Sequence, residues 1–226
     1  MAVKKQVPDV DHNEAVIARA KDFWTRYQKQ LMTAGIIIIL LAGGWLVYKK
    51  FFKDPKEEKA WDAIFKAEEY YRMDSLQKAL NGDGLNAGFL KVINNYGGTD
   101  AGNMARFYAG VCLVQTGDFA RAVTHLKKFK TKAKQVQARA YKLLGDAYSE
   151  LGKNEDAISN YKKAANHFPE DQMNSAEALF FAAGLSEKAG KKQEAIELYQ
   201  ELKEKFPQTR QGFEADRYLA KLGVYN

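Results

Sequence analysis

Three histidines, one cysteine and two glycine-rich turns are the features of this 226-residue chain whose types could carry chemistry. His12, His125 and His167 stand far apart and lack the short spacing by which imidazoles share a zinc ion. Cys112 lies between Val111 and Leu113, an apolar setting in which a thiol acts as a small hydrophobe rather than a nucleophile. A single cysteine also excludes an intramolecular disulfide framework and a four-cysteine zinc site. The run Gly97-Gly98-Thr99-Asp100-Ala101-Gly102 lacks the Lys-Ser/Thr ending of a phosphate loop. It reads instead as a loop in which Asp100 caps a helix starting near Ala101. Asn81-Gly82-Asp83-Gly84 lacks the twelve-residue carboxylate ladder of a calcium loop. The chain is therefore expected to hold no catalytic residue, metal or cofactor, to bind no small-molecule substrate, and not to be an enzyme.

The elements that would position a site are of another kind. Hydrophobic residues make up 46% of the chain, too many for disorder, and 35 basic against 28 acidic side chains leave a net charge of +7. The charges read as interleaved, which argues against a nucleic-acid partner. Between Lys29 and Lys49 lie 19 uncharged positions, a reach of about 28 Å as a helix and close to the thickness of a bilayer core. Ile36, Ile37, Ile38, Ile39, Leu40 and Leu41 are apolar on all sides rather than along one stripe, and Trp45 and Tyr48 sit at one end as interfacial aromatics. A single transmembrane helix is expected. No small-residue cleavage site and no cysteine directly follow it, so it reads as an uncleaved anchor. Lysines and arginines flank both ends evenly, and charge gives no orientation. Upstream, Val16, Ala20, Phe23, Trp24, Tyr27 and Leu31 fall at helical spacing. Two readings stay open for them: an amphipathic helix on the membrane surface, or an extension of the transmembrane helix.

Beyond the span, helix formers dominate and a period emerges. Residues 138–169 place Tyr141, Leu144-Gly145, Tyr148, Ala157, Tyr161, Ala164 and Pro169 on the tetratricopeptide pattern in register. Gly110, Gly117 and Ala122 precede Gly145, Gly152 and Ala157 by 35 residues, and Gly190, Ala195, Tyr199 and Pro207 follow their counterparts by 38. Small residues at Gly145 and Ala157 would let paired helices approach, with Tyr148 and Tyr161 filling the remaining space. Residues 61–73 and 88–96 read as a degenerate fourth pair joined through Asn81-Gly82-Asp83-Gly84, and 213–222 as a final capping helix. The fold class expected is all-α: one N-terminal transmembrane helix followed by a tetratricopeptide-repeat superhelix.

These residues resemble tetratricopeptide repeats. The layout, with AWDAIFKAEEYY after the span and ARFYAGVCLVQTGDFARAV in the first clear repeat, resembles the ancillary SecYEG translocon subunit (YfgM-type) family of bacterial inner membranes. That resemblance implies a cytoplasmic amphipathic leader over 1–30, a transmembrane signal anchor over 31–48 and a membrane-proximal degenerate helical pair over 49–100. Three repeats over 103–208 and a C-terminal capping helix over 209–226 would complete the chain, with the repeat domain periplasmic. It further implies protein partners: the SecYEG translocon, and periplasmic chaperones or translocating clients. A structural adaptor of another cell-envelope assembly or secretion complex is the alternative, and a cytoplasm-facing adaptor is a third reading.

In such repeats the first helix of each pair lines a concave face. The family's positions fall on Met104, Phe107, Val111 and Val114, then Arg139 and Lys142, then Phe180. Phe107 and Val111 occupy the places where some members hold a carboxylate with Lys and Asn, so that mode is not expected. Arg139 and Lys142 suit acidic groups. Met104, Phe107, Val111 and Val114 read either as an apolar floor for a partner segment or, as the favoured alternative, as residues buried beneath the N-terminal pair.

Overall fold

A computed structural model describes residues 12–225, with side chains from residue 16 onward. The described residues are helical apart from turns and a single β-bridge between Gly82 and Ala87. They divide into two units at Pro55/Lys56.

The first unit is dominated by α1, His12–Tyr48, followed by a π-helical stretch, Lys49–Lys53, closed by the Asp54 N–H donating to the Lys49 carbonyl. A π-turn at the end of the apolar run was not foreseen. No turn separates the residues before Leu31 from the apolar run, so a surface helix with a bend into the membrane is not what the backbone adopts. The leader's first eleven residues, and the side chain of His12, lie outside what the structure describes. Ile36, Ile37, Ile38, Ile39, Leu40, Leu41 and Trp45 are between 51% and 70% exposed. A soluble core helix would bury such residues; among the described residues nothing buries any of them. The helix is long and apolar enough to cross a membrane.

The second unit is a stack of helices: α2 (Asp54–Arg72), α3 (Leu76–Asn81), α4 (Phe89–Tyr96), α5 (Asp100–Gln115), α6 (Phe119–Leu126), α7 (Lys134–Glu150), α8 (Asn154–His167), α9 (Gln172–Lys188), α10 (Lys192–Lys205) and α11 (Arg210–Lys221). The pairs α5/α6, α7/α8 and α9/α10 are joined by one turn used three times. The residue at the left-handed position is Gly117, Gly152 or Gly190, with φ of +79°, +70° and +77°. The following N–H reaches back five residues: Asp118 to Leu113, Lys153 to Tyr148 and Lys191 to Ser186, at 2.8–2.9 Å. A side chain with a Cβ is strained at that φ, and glycine removes the strain.

The same turn ends α2, with Asp74 at φ +55° in the glycine place and the Ser75 N–H donating to the Tyr70 carbonyl. The segments expected as the membrane-proximal pair, 61–73 and 88–96, are helical in α2 and α4 save for Met73 and Gly88, and only the way the pair is joined differs. Its turn falls at 73–75, and α3 begins its second helix; Gly82–Gly88 then interrupts that helix before α4 resumes. The inserted loop is tied by Asp83, whose carboxylate accepts from the Tyr70 hydroxyl (2.5 Å) and from the N–H groups of Leu85 and Asn86. Those bonds, the Tyr70 hydroxyl foremost, hold the Asp83 carboxyl well below the usual carboxylate range.

Packing between paired helices depends on the small residues. A Cβ on Gly145 would stand 2.5 Å from the Tyr161 ring. Gly110 presses on the Leu126 side chain in the equivalent place, and Ala183, fully buried, sits there in the third repeat. The core runs continuously from Ala60, Ile64 and Ala67 of α2 to Ala215 and Leu219 of α11.

Candidate partner-binding groove

A groove of about 790 Å³ opens between the first helices α5, α7 and α9. Tyr71 of α2 closes one side of it, packed at 5.4 Å on Tyr108, which in turn stacks on Phe89 at 5.3 Å. At its other end α2 is fixed by Glu57, whose carboxylate accepts from the N–H groups of Asp100 and Ala101, 2.9 Å each. An anion on the free N–H groups of a helix start is well placed. The sequence reading missed Glu57, because a cap supplied from 43 residues away leaves no local signature.

The cap within α5 is Thr99, not Asp100. Its hydroxyl accepts from the Gly102 N–H (2.9 Å) and donates to the Tyr96 carbonyl (2.7 Å), and Asp100 is the first helical residue. Thr209 repeats this arrangement with Gly212 and Phe206 at the start of α11. The signal that would have found both is Thr-x-x-Gly: the glycine has no Cβ to strike the preceding helix's last carbonyl.

The sequence-chosen residues fall into three groups. Met104, Phe107, Arg139 and Lys142 line the groove. Val111 does not: at 2% exposed it belongs to the core. Val114 and Phe180 are half-buried and outside the lining; Phe180 packs edge-on against Tyr218 (5.2 Å) at the α11 end of the stack. The two sequence readings of α5 thus divide along the helix. Its apolar face is core at Val111, while Met104 and Phe107 border the cavity, Phe107 with only 6% of its surface free.

Charge in the groove is unevenly paired. Lys142 lies between Asp146 (3.6 Å) and Glu177 (3.4 Å), with its ammonium 5.0 Å over the Phe181 ring. Asp146 is held further by the Tyr161 hydroxyl at 2.9 Å, and burial together with that carboxylate raises the Tyr161 hydroxyl far above its ordinary range. Arg139 is exposed, stacked 5.9 Å from the Phe107 ring centre, and in no ion pair among the described residues. The groove therefore offers an aromatic and aliphatic wall with one uncommitted cation beside a neutralised one.

The remaining sequence candidates stay apart. Burial pushes the Cys112 thiol up to about 12, which leaves it protonated and inert. His125 is half-buried, and its imidazole is held below its usual range by burial, then by Arg121, Arg106 and Lys128. His167 packs edge-on against Tyr141 at 5.4 Å. Among the described residues no three of His, Cys, Asp and Glu converge to hold a metal ion.

Antiparallel helix pairs stacked in one direction, with a groove lined by the first helix of each, define a helical-repeat interaction module. The chain belongs to the tetratricopeptide repeat family: a tetratricopeptide repeat-like domain matches residues 21–141, and a tetratricopeptide repeat matches residues 142–209. The first match begins inside α1, so the family unit takes in the apolar helix and the interrupted pair as well as the regular repeats. No curated protein matches the chain.

Proposed function

We propose that this protein is a membrane-anchored scaffold whose repeat groove docks protein partners, serving as an accessory subunit of the SecYEG translocon that links it to periplasmic chaperones or clients. The observation that carries the scaffold reading is the groove on α5, α7 and α9, with Arg139 over Phe107 and in no ion pair among the described residues. An extended segment presenting an apolar side chain to Met104 and Phe107 and a carboxylate to Arg139 fits it. The apolar α1 supports anchoring, since tethering in the membrane plane raises the effective concentration of weakly bound neighbours. The translocon assignment rests on the layout described from the sequence, with the N-terminus cytoplasmic and the repeats periplasmic.

The test is purification of the full-length protein in mild detergent with mass spectrometry of its companions, repeated for Met104→Glu and Arg139→Glu. Partners that vanish from both variants while thermal melting holds support groove docking; undiminished recovery refutes it. Companions without SecY refute the translocon role and favour another envelope assembly. Full-length protein in the aqueous fraction without detergent refutes anchoring. Phe107→Asp and Val111→Asp are unsuited to this test, because both positions are buried.

A further inference from the structure

Charge is interleaved along most of the chain, with one exception. Between Asp118 and Asp146 there are eight basic residues and no acidic one: Arg121, Lys127, Lys128, Lys130, Lys132, Lys134, Arg139 and Lys142. Arg121 pairs with Asp118, Lys142 with Asp146 and Glu177, and Arg139 faces the groove. The five lysines from 127 to 134 are all exposed, and none is in an ion pair among the described residues. Four lie on the connection from α6 to α7, which is firmly held, and Lys134 is the first residue of α7. Phe129 is buried against Phe107 at 5.2 Å, the Asn103 amide donates to the Lys130 carbonyl at 2.8 Å, and the Thr131 N–H donates to Gln137 at 2.9 Å. Lys127 and Lys130 also border a hollow of about 290 Å³ floored by Leu126, Phe129 and Leu144.

The position of this connection is the second observation. Glu57, at the start of α2, is bound to the first two N–H groups of α5, and Asn103, within the next turn of α5, is bound to Lys130. The lysines therefore share an edge of the second unit with Glu57, close to where that unit's chain begins. Eight residues lie between Tyr48, the last residue of the apolar helix, and Glu57, and the nine steps reach at most about 30 Å even fully extended. Lys49, Lys50, Lys53, Lys56 and Lys59 lie along that same short stretch.

We infer that the Lys127–Lys134 connection is a docking surface for the anionic headgroups of the bilayer that carries the span, holding this edge of the repeat stack at the membrane. The inference rests on the anchored reading of α1. Clustered lysines near a membrane gain from the negative surface potential additively, and the gain falls off within a Debye length, so closeness to the bilayer is what the surface requires. A bilayer fits better than an acidic protein, because none of the five lysines lines the groove, whose cations are Arg139 and Lys142, and they share an edge with the start of the second unit at Glu57.

The test uses the full-length protein reconstituted in vesicles of zwitterionic lipid alone or with about a third anionic phospholipid, footprinted by lysine acetylation and mass spectrometry. Lys153 and Lys192, exposed at the turns on the opposite edge, are the internal reference. Anionic lipid should slow acetylation of Lys127, Lys128, Lys130, Lys132 and Lys134 at least threefold relative to these two, and 0.5 M salt should abolish the difference. Equal labelling in both vesicles overturns the inference. So does stronger protection by added polyglutamate or oligonucleotide in zwitterionic vesicles, which would make the surface a site for an acidic macromolecule. Failure of the protein to float with zwitterionic vesicles would refute the anchored reading, and the lysine footprint in anionic vesicles would still decide the headgroup contact.

Discussion

Gly145→Ala is the sharpest test of how this stack is held together. In an exposed helix interior the change would stabilise by about 1 kcal/mol, because alanine loses less backbone freedom. Here the new methyl would lie 2.5, 2.6 and 2.9 Å from three atoms of the Tyr161 ring, which is buried and hydrogen-bonded to Asp146 and so has nowhere to go. Overpacking of this kind costs about 1–3 kcal/mol, and three contacts under 3.0 Å on a buried ring put this one in the upper part, about 2–3. The clash outweighs the propensity gain, and the expected net loss is about 1–2 kcal/mol, a fall in melting temperature of about 2–8 °C for a unit of this size. Circular dichroism melts of the full chain in detergent, with urea titrations, measure it. Gly184→Ala is the control: one residue from the equivalent place in the third repeat, its Cβ would come no nearer than 3.8 Å, to the Tyr199 hydroxyl oxygen. That variant should melt about 2–4 °C higher. In a Tyr161→Ala background the sign at Gly145 should reverse, because the ring that opposes the methyl is gone. A Gly145→Ala protein as stable as the parent, or no reversal in the double variant, would refute the close-approach argument.

Other outcomes follow from the caps and the buried thiol. Thr99→Ala should destabilise by about 1–2 kcal/mol through loss of the cap, whereas Asp100→Ala should cost well under 1, its effect limited to the helix dipole; chemical denaturation distinguishes them. Glu57→Ala frees the first two N–H groups of α5 and should raise amide hydrogen exchange at Asp100 and Ala101 more than at Gln115. Native Cys112 should resist iodoacetamide at pH 8 and react fully in denaturant. Between its ordinary 9.0 and about 12 the folded chain keeps the thiol proton that the unfolded chain releases, so stability should fall as pH rises through that window; Cys112→Ala should flatten this slope in urea titrations at pH 8 to 11.

How much of this was legible depended on whether the signal was local. The 35- and 38-residue offsets of Gly110, Gly145, Gly152 and Gly190 revealed the repeat because each pair needs the same turn and the same close approach. Where one requirement was met by another residue, the reading slipped. Asp74 took the glycine place in the turn after α2, and the pair boundary was put at Gly82 instead. Thr99 capped α5 although the adjacent Asp100 has the stronger local look of a cap, because only Thr99 also reaches the Tyr96 carbonyl. In the groove, family positions on α5 selected Val111 alongside Met104, and spacing along one helix cannot tell which of two residues a neighbouring helix covers.

What the amino-acid sequence determined by itself is what depends on composition and period: an apolar helix of bilayer length, an all-α repeat, and turns that demand a left-handed residue. Tertiary structure alone decided which faces remain open. Burial at Val111, an Arg139 in no ion pair among the described residues and the meeting of Glu57, Asn103 and Lys130 at one edge all join residues far apart in the chain. Whether a side chain ends in core, groove or solvent is a property of its neighbours in space, and packing supplies those neighbours only after the helices have stacked.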